Sequence, residues 1–192
     1  MRPLLLASSS PHRRSLLARL GVPFTWASPQ VDETPLPGEA VAHYCTRLAR
    51  AKAQALADRH PDHLILGADQ AAAWEGTMLR KPGDRATARA QLHRLAGHTL
   101  TFVTAVALYD AGSGRLLEAS VQTEVEFRFL SDEEIERYLA REEAFDCVGA
   151  FRVEGLGIAL FSRVTSDDPT ALIGLPLIQV AELLRRMGVP VP

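Results

Sequence analysis

Residues 4–14 read Leu4-Leu5-Leu6-Ala7-Ser8-Ser9-Ser10-Pro11-His12-Arg13-Arg14, and this stretch sets the architecture of the chain. Leu4 to Ala7 is a compact apolar run, which reads as a short buried strand. The serines and Pro11 end that run and turn the chain into a helix. The helix spans roughly residues 11–20, and Gly21 is a natural stop. Strand and helix thus alternate from the first residues.

Working outward, residues 24–31 read as a second extended segment, and the loop Asp32-Glu33-Thr34-Pro35-Leu36-Pro37-Gly38 forbids regular helix. Residues 40–59, rich in alanine, leucine and arginine and free of proline and glycine, predict a long helix. His63 to Gly67 is a compact apolar run ending in Ala68-Asp69-Gln70, with Ala71 to Trp74 continuing it as strand, so Asp69 sits within or beside a buried strand. Lys81-Pro82-Gly83 is a turn, and Asp84 is the N-cap of a helix over residues 85–95. Residues 99–109 and 116–129 predict an antiparallel pair joined through Asp110-Ala111-Gly112-Ser113-Gly114. Ser131-Asp132-Glu133-Glu134 offers a capping box for a helix to about Arg141, and residues 175–187 predict a closing helix. The mixture implies an α/β fold with a mixed sheet. No repeat, low-complexity block or hydrophilic linker interrupts it, so residues 1–192 read as a single domain of two lobes, which the loop near Lys81 could divide.

The 192 residues are 47% hydrophobic and 23% charged, an ordinary globular balance. A formal charge of −2 argues against a nucleic-acid partner, so any polyanion site must be built from a few local cations. Cys45 and Cys147 stand far apart without a C-x-x-C partner motif, which argues against a disulfide framework or structural zinc. The run at residues 3–7 is too short for a signal sequence, and no stretch is long and apolar enough to span a membrane. The expected setting is cytoplasmic.

Several residue groups have chemistry to offer. Ser8 to Arg14 place hydroxyls, free backbone N–H groups and two arginines at a helix N-terminus, where anions are favoured and where the planar guanidinium fork suits phosphate. A serine cap followed by solvated arginines is the equally simple alternative. Glu33 and Asp69 are carboxylates without an evident packing reason, and carboxylate oxygens are the usual protein ligands of magnesium or manganese. A solvated loop charge and a strand-end cap are their ordinary readings. Lys52 and Lys81, the only lysines in the chain, could each counter a phosphate as a point charge or simply face solvent. Residues 146–157 combine three glycines with Phe151 and Glu154; the segment is either a glycine-bent strand or a backbone that lets a flat base approach. Ser166-Asp167-Asp168-Pro169-Thr170 reads as an acidic capping turn. The spacings of histidines, serines and glycines exclude zinc protease, serine hydrolase and P-loop readings.

Taken in order, Leu6-Ala7-Ser8-Ser9-Ser10-Pro11-His12-Arg13-Arg14-Ser15-Leu16-Leu17, Val31-Asp32-Glu33, Gly67-Ala68-Asp69-Gln70, Lys81-Pro82-Gly83, Asp146-Cys147-Val148-Gly149-Ala150-Phe151, Glu154-Gly155-Leu156-Gly157 and Gly174-Leu175-Pro176-Leu177 resemble the motifs of the Maf-like family over nearly the whole chain. The resemblance implies an elongated mixed sheet flanked by helices, two lobes around a deep cleft, and a homodimer. It implies an enzyme that cleaves a nucleoside triphosphate between the alpha and beta phosphates with a divalent cation, magnesium, manganese or cobalt. On the matching positions it makes Asp69 the proton acceptor and a metal neighbour with Glu33. Ser8, Arg13, Arg14, Lys52 and Lys81 become substrate-binding, and His12, Gln70 and Glu154 tune base choice. Gln70, Glu154 and the segment Ser166–Leu177 are similar to the branch acting on 7-methyl-GTP, with His12 less diagnostic. The competing expectations are a dTTP, UTP or other modified-nucleotide pyrophosphatase of the same family, and a non-catalytic nucleotide sensor or division-inhibiting interaction protein.

Overall fold

In the computed structural model, which describes residues 2–192, the opening leucine run is strand β1 (Leu4–Ala7), buried at all four positions. It lies between two parallel neighbours, β2 (Phe24–Ala27) and β3 (Leu64–Trp74), which pair Phe24 and Leu64 with Leu4. A strand flanked on both edges by parallel neighbours is covered on both faces by helices, so it carries unbroken apolar residues rather than alternation. Helix α1 (Pro11–Ala18) connects β1 to β2, and α2 (Val41–Gln54) connects β2 to β3. Pro11 opens α1, and the Ser10 hydroxyl accepts the Arg13 N–H at 3.4 Å.

The seven-stranded sheet runs in the order β2-β1-β3-β5-β6-β7, with the two-residue β4 (Thr77–Met78) pairing antiparallel to the end of β3. Strands β5 (Thr99–Asp110) and β6 (Leu116–Phe127) are neighbours joined by five residues, a connection short enough only for an antiparallel hairpin. Strand β7 (Phe161–Ser166) pairs antiparallel with β6. The helices α3 (Arg85–Leu95), α4 (Asp132–Leu139) and α5 (Leu177–Arg186) complete the mixed α/β fold. Asp84 caps α3 through the Thr87 N–H at 2.8 Å, and the Ser131 capping box opens α4 as its sequence predicts. Among the described residues no helix is long and apolar enough to cross a membrane.

The differences from expectation have local causes. Extended structure after Phe24 stops at Ala27, and the helix expected over residues 40–59 ends at Gln54, followed by a 3-10 turn at Ala57–Arg59. The fully buried Leu56 marks that bend. Strand β3 runs through Asp69 without interruption, so the two apolar segments around it are one strand. Residues 146–157 are not a bent strand: 3-10 turns occupy Val148–Ala150 and Leu156–Leu160. The exposed β7, polar along most of its length, lacked any burial pattern that could announce it.

The chain divides into two compact units. The first comprises Met1–Gln70, Val103–Val121 and Asp168–Pro192, and the second Ala71–Phe102 and Gln122–Asp167. In the second, Phe102, Phe127, Phe151 and Phe161 meet edge to face, with ring centroids 4.7–5.7 Å apart, the arrangement the aromatic quadrupole favours. In the first, Leu64, Leu66 and Ala68 of β3 pack in a core with Leu16 and Leu17 of α1 and Val180 and Leu184 of α5. Strand alternation turns Ile65, Gly67 and Asp69 to the opposite face. There α2 approaches so closely that a Cβ at Gly67 would collide with the Ala49 carbonyl and the Ala53 backbone. Glycine at 67 is therefore a spacing requirement between helix and strand. Gly67→Ala is expected to lower stability by about 1–3 kcal/mol, as overpacking does. The urea midpoint should fall with an unchanged m-value, and an unaltered midpoint would refute the spacing role.

Candidate active site

Helix α2 buries the stripe Cys45, Leu48, Ala49, Lys52 and Ala53. Four of these suit an apolar interface, whereas Lys52 does not: it is only 7% exposed, on the same face as the core residues. The close approach at Gly67 explains where its charge goes. One position beyond Ala68, Asp69 points from β3 to the α2 side, and Lys52 Nζ lies 2.6 Å from Asp69 Oδ1. The same ammonium lies 2.6 Å from Glu33 Oε1. Two oxygens sharing one nitrogen at that distance lie within twice that distance of each other. The sequence motifs at residues 33, 52 and 69, far apart in the chain, are thus one cluster.

Asp69 is buried, and burial pushes its carboxyl above the ordinary aspartate value; the charges of Lys52 and Arg13 oppose that shift, and Glu33 adds to it. Arg13 is half-buried and feels Asp69 and Glu33 as favourable charges, although burial draws its guanidinium below the ordinary value. It remains a cation at neutral pH. Arg13 Nε donates to the Gly174 carbonyl at 2.9 Å, leaving the two Nη groups to carry the remaining donors. Ser8, also buried, accepts the Ser10 N–H at 3.1 Å through its hydroxyl, which keeps its proton for an acceptor.

Glu33 stands on a loop, and α2 holds that loop. Tyr44 Oη donates to the Glu33 backbone carbonyl at 2.9 Å. Burial, reinforced by Asp69 and Glu33, pushes the Tyr44 phenol up to about 12, so it stays a donor. Arg47 grips Glu39 with two parallel bonds of 2.6 and 2.7 Å and reaches the Thr34 carbonyl at 3.3 Å. Glu39 also accepts the Leu36 N–H at 3.0 Å, and Asp32 accepts the Thr34 N–H at 2.9 Å. The sequence singled out none of Tyr44, Arg47 and Glu39, since a tyrosine, an arginine and a glutamate near a helix start read as surface residues.

Not every expected residue joins the cluster. The Arg14 guanidinium stacks over the Trp26 ring at 4.2 Å, and His12 is exposed at the start of α1. Gln70, next to Asp69, faces the opposite side of β3 and donates its amide to Thr104, Ala171 and Leu172. Lys81 and Glu154 lie in the second unit, both exposed and both in non-regular segments. Behind Lys81 the Gly83 N–H is fixed to the Phe145 carbonyl at 2.9 Å, and beside Glu154 the Glu142 carboxylate holds the Leu156 N–H at 2.6 Å.

Among the described residues no group of three or more histidine, cysteine or acidic side chains could hold a metal ion. Glu33 and Asp69, both against the Lys52 ammonium, could supply the one or two carboxylates that a hard divalent cation of the magnesium type takes beside substrate phosphates and water.

The family model described as Maf-like protein matches residues 3–187, nearly the entire chain. The chain belongs to the Maf family. This Maf-family protein is 50% identical over 188 residues to the 7-methyl-GTP pyrophosphatase of Ralstonia nicotianae, covering 98% of this chain and 97% of that protein. It is 48% identical over 192 residues to the 7-methyl-GTP pyrophosphatase of Pseudomonas putida, covering all of both chains, and 48% identical over 188 residues to that of Chromohalobacter salexigens.

The Arg47 clamp gives the Maf-family chain a testable pH dependence. Arg47 holds the Glu39 carboxyl down to about 2, well below its ordinary 4.5. A depressed carboxyl stabilises the fold above its unfolded-state value and loses that contribution as pH falls toward 2. Thermal midpoints of the parent protein and Glu39→Gln should therefore differ at pH 7 and converge as pH falls from about 4.5 toward about 2. A pH-independent gap would show that the pair is not the link.

Proposed function

We propose that this chain hydrolyses 7-methyl-GTP to 7-methyl-GMP and pyrophosphate. The observation that carries the reading is the Lys52 ammonium 2.6 Å from both Asp69 and Glu33, a paired carboxylate site whose charges the Arg13 guanidinium of α1 feels. Relatives named 7-methyl-GTP pyrophosphatase, similar along the whole chain, support the substrate class. The protein is a pyrophosphate-releasing hydrolase of nucleoside triphosphates.

Asp69 is suited to accept a proton from the attacking water. The Lys52 bond to Oδ1 fixes the carboxylate while leaving Oδ2 to receive the proton. Water adds to the alpha phosphorus as the bond to the bridging oxygen breaks, and pyrophosphate departs. Arg13 offers two Nη groups to equatorial oxygens, and Lys52 and the Ser8 hydroxyl add a cation and a donor where charge develops. Glu33 and Asp69 would hold a divalent cation together with the triphosphate, and that ion would supply further positive charge against the phosphates.

Arg14 and Lys81 enter as phosphate cations, and His12, Gln70 and Glu154 as base-choosing residues, by resemblance to the family's motifs. A carboxylate at 154 suits a guanine ring that methylation has made cationic, since opposite charge favours it over the neutral ring.

The test is pyrophosphate release from 7-methyl-GTP, GTP, dTTP, UTP, CTP and ITP with magnesium or manganese. Selective turnover of 7-methyl-GTP, abolished by EDTA, is expected. Asp69→Asn should lower kcat by roughly 10²–10⁴-fold, the range of a general base. Preference for dTTP or UTP would move the substrate assignment within the family, and full activity of Asp69→Asn would remove its role as base. Glu154→Gln should cut the ratio of 7-methyl-GTP to GTP turnover about tenfold, the effect of roughly 1.4 kcal/mol; an unchanged ratio would place base choice elsewhere.

A further inference from the structure

Thr104 is completely buried in β5, yet it is polar, and no motif pointed to it. Its hydroxyl donates to the Ala171 carbonyl at 2.9 Å and accepts the Gln70 amide at 2.9 Å. Gln70 Nε2 also reaches the Ala171 and Leu172 carbonyls, at 2.9 and 3.1 Å. A backbone carbonyl can only accept, so the amide nitrogen must face this pair, because a flip would set oxygen against oxygen. Gln70 is therefore fixed in one orientation, with its donors committed to the 3-10 turn Ala171–Ile173.

That turn has a second attachment. The Gly174 N–H closes onto the Ala171 carbonyl at 2.9 Å, the oxygen that Thr104 and Gln70 already hold, and Gly174 adopts φ +120°, a conformation that favours glycine. The Gly174 carbonyl then receives Arg13 Nε at 2.9 Å. On the near side of the turn, the fully buried Asp168 accepts the Thr170 and Ile178 N–H groups at 3.0 and 2.7 Å and so caps α5, in keeping with the acidic capping turn of the sequence. The turn is held at both ends, and the Arg13 guanidinium hangs from one of them.

We propose that Thr104 is a positioning residue for Arg13, acting through the Ala171–Gly174 turn. The inference rests on the reading that Arg13 binds the triphosphate. An arginine side chain is flexible; pinning Nε orients the guanidinium plane before substrate arrives, so that less ordering remains for binding.

The experiment compares Thr104→Val, Thr104→Ser, Arg13→Ala and the double variant Thr104→Val with Arg13→Ala in the full chain, using the two nucleotides that the protein turns over best. Thr104→Val should raise KM for both nucleotides by a similar factor, about tenfold, with kcat much less affected and the preference ratio unchanged. Thr104→Ser, which keeps the hydroxyl, should restore parent KM, and Thr104→Val should add nothing once Arg13 is absent. Thermal melts establish that each variant is folded, and the serine variant tests the hydroxyl should the valine variant fail to fold. A change in preference ratio for Thr104→Val with KM rising for one nucleotide alone would overturn the proposal in favour of a part in base choice. Parent KM in Thr104→Val beside an impaired Arg13→Ala would break the linkage while sparing the phosphate reading. Parent KM in Arg13→Ala would sink that reading and the inference with it.

Discussion

The pairing of Lys52 with Asp69 is the constraint around which the first unit is organised. Both groups are shielded from water, and a buried charge left without its partner costs about 3–5 kcal/mol. The helix carrying the lysine must therefore lie close to the strand carrying the aspartate, which requires glycine at 67, and alanines on α2 at 49 and 53 complete the contact. Glu33 gives the ammonium a second anion, and the loop bearing it is kept in reach by Tyr44, Arg47 and Glu39. Helix spacing, loop conformation and charge balance thus depend on one another.

Much of the fold was legible because its signals are local. The leucines of β1, the Ser10–Pro11 start of α1, the Asp84 cap and the Ser131 capping box each announce an element through its own residues. What was hidden depends on tertiary contact. β7 is an exposed edge strand with nothing to bury, and α2 stops short of the alanine-rich stretch that propensity alone would continue as helix.

The site shows the same division. Asp69, Glu33 and Lys52 could be named as candidates from residue type and resemblance, but their convergence on one nitrogen comes from strand and helix packing. Thr104 was unreadable because a threonine in a β-rich segment is what strand propensity favours. Gln70 and Asp69, adjacent in sequence, could not be separated into opposite faces until β3 was seen to run straight through them. Lys81 lies in a non-regular segment, in keeping with the turn its sequence predicts, whereas Glu154 lies in a turn where a glycine-bent strand was one reading, and the place of both in the chemistry rests on resemblance and charge.

The segmented make-up of the first unit bears on how the chain matures. Its core joins leucines of β1 and β3 to Leu175, Val180 and Leu184 near the C-terminus, and the second unit's segments intervene in the sequence. On the ribosome, Lys52 and Asp69 therefore emerge long before α5 exists to cover the other face of their sheet. Closure must wait for contacts of very large sequence separation, which form slowly and leave apolar strand surface uncovered meanwhile. The segment Asp168–Pro192 rejoins the first unit across the residues of the second, and α5 within it covers the other face of that sheet.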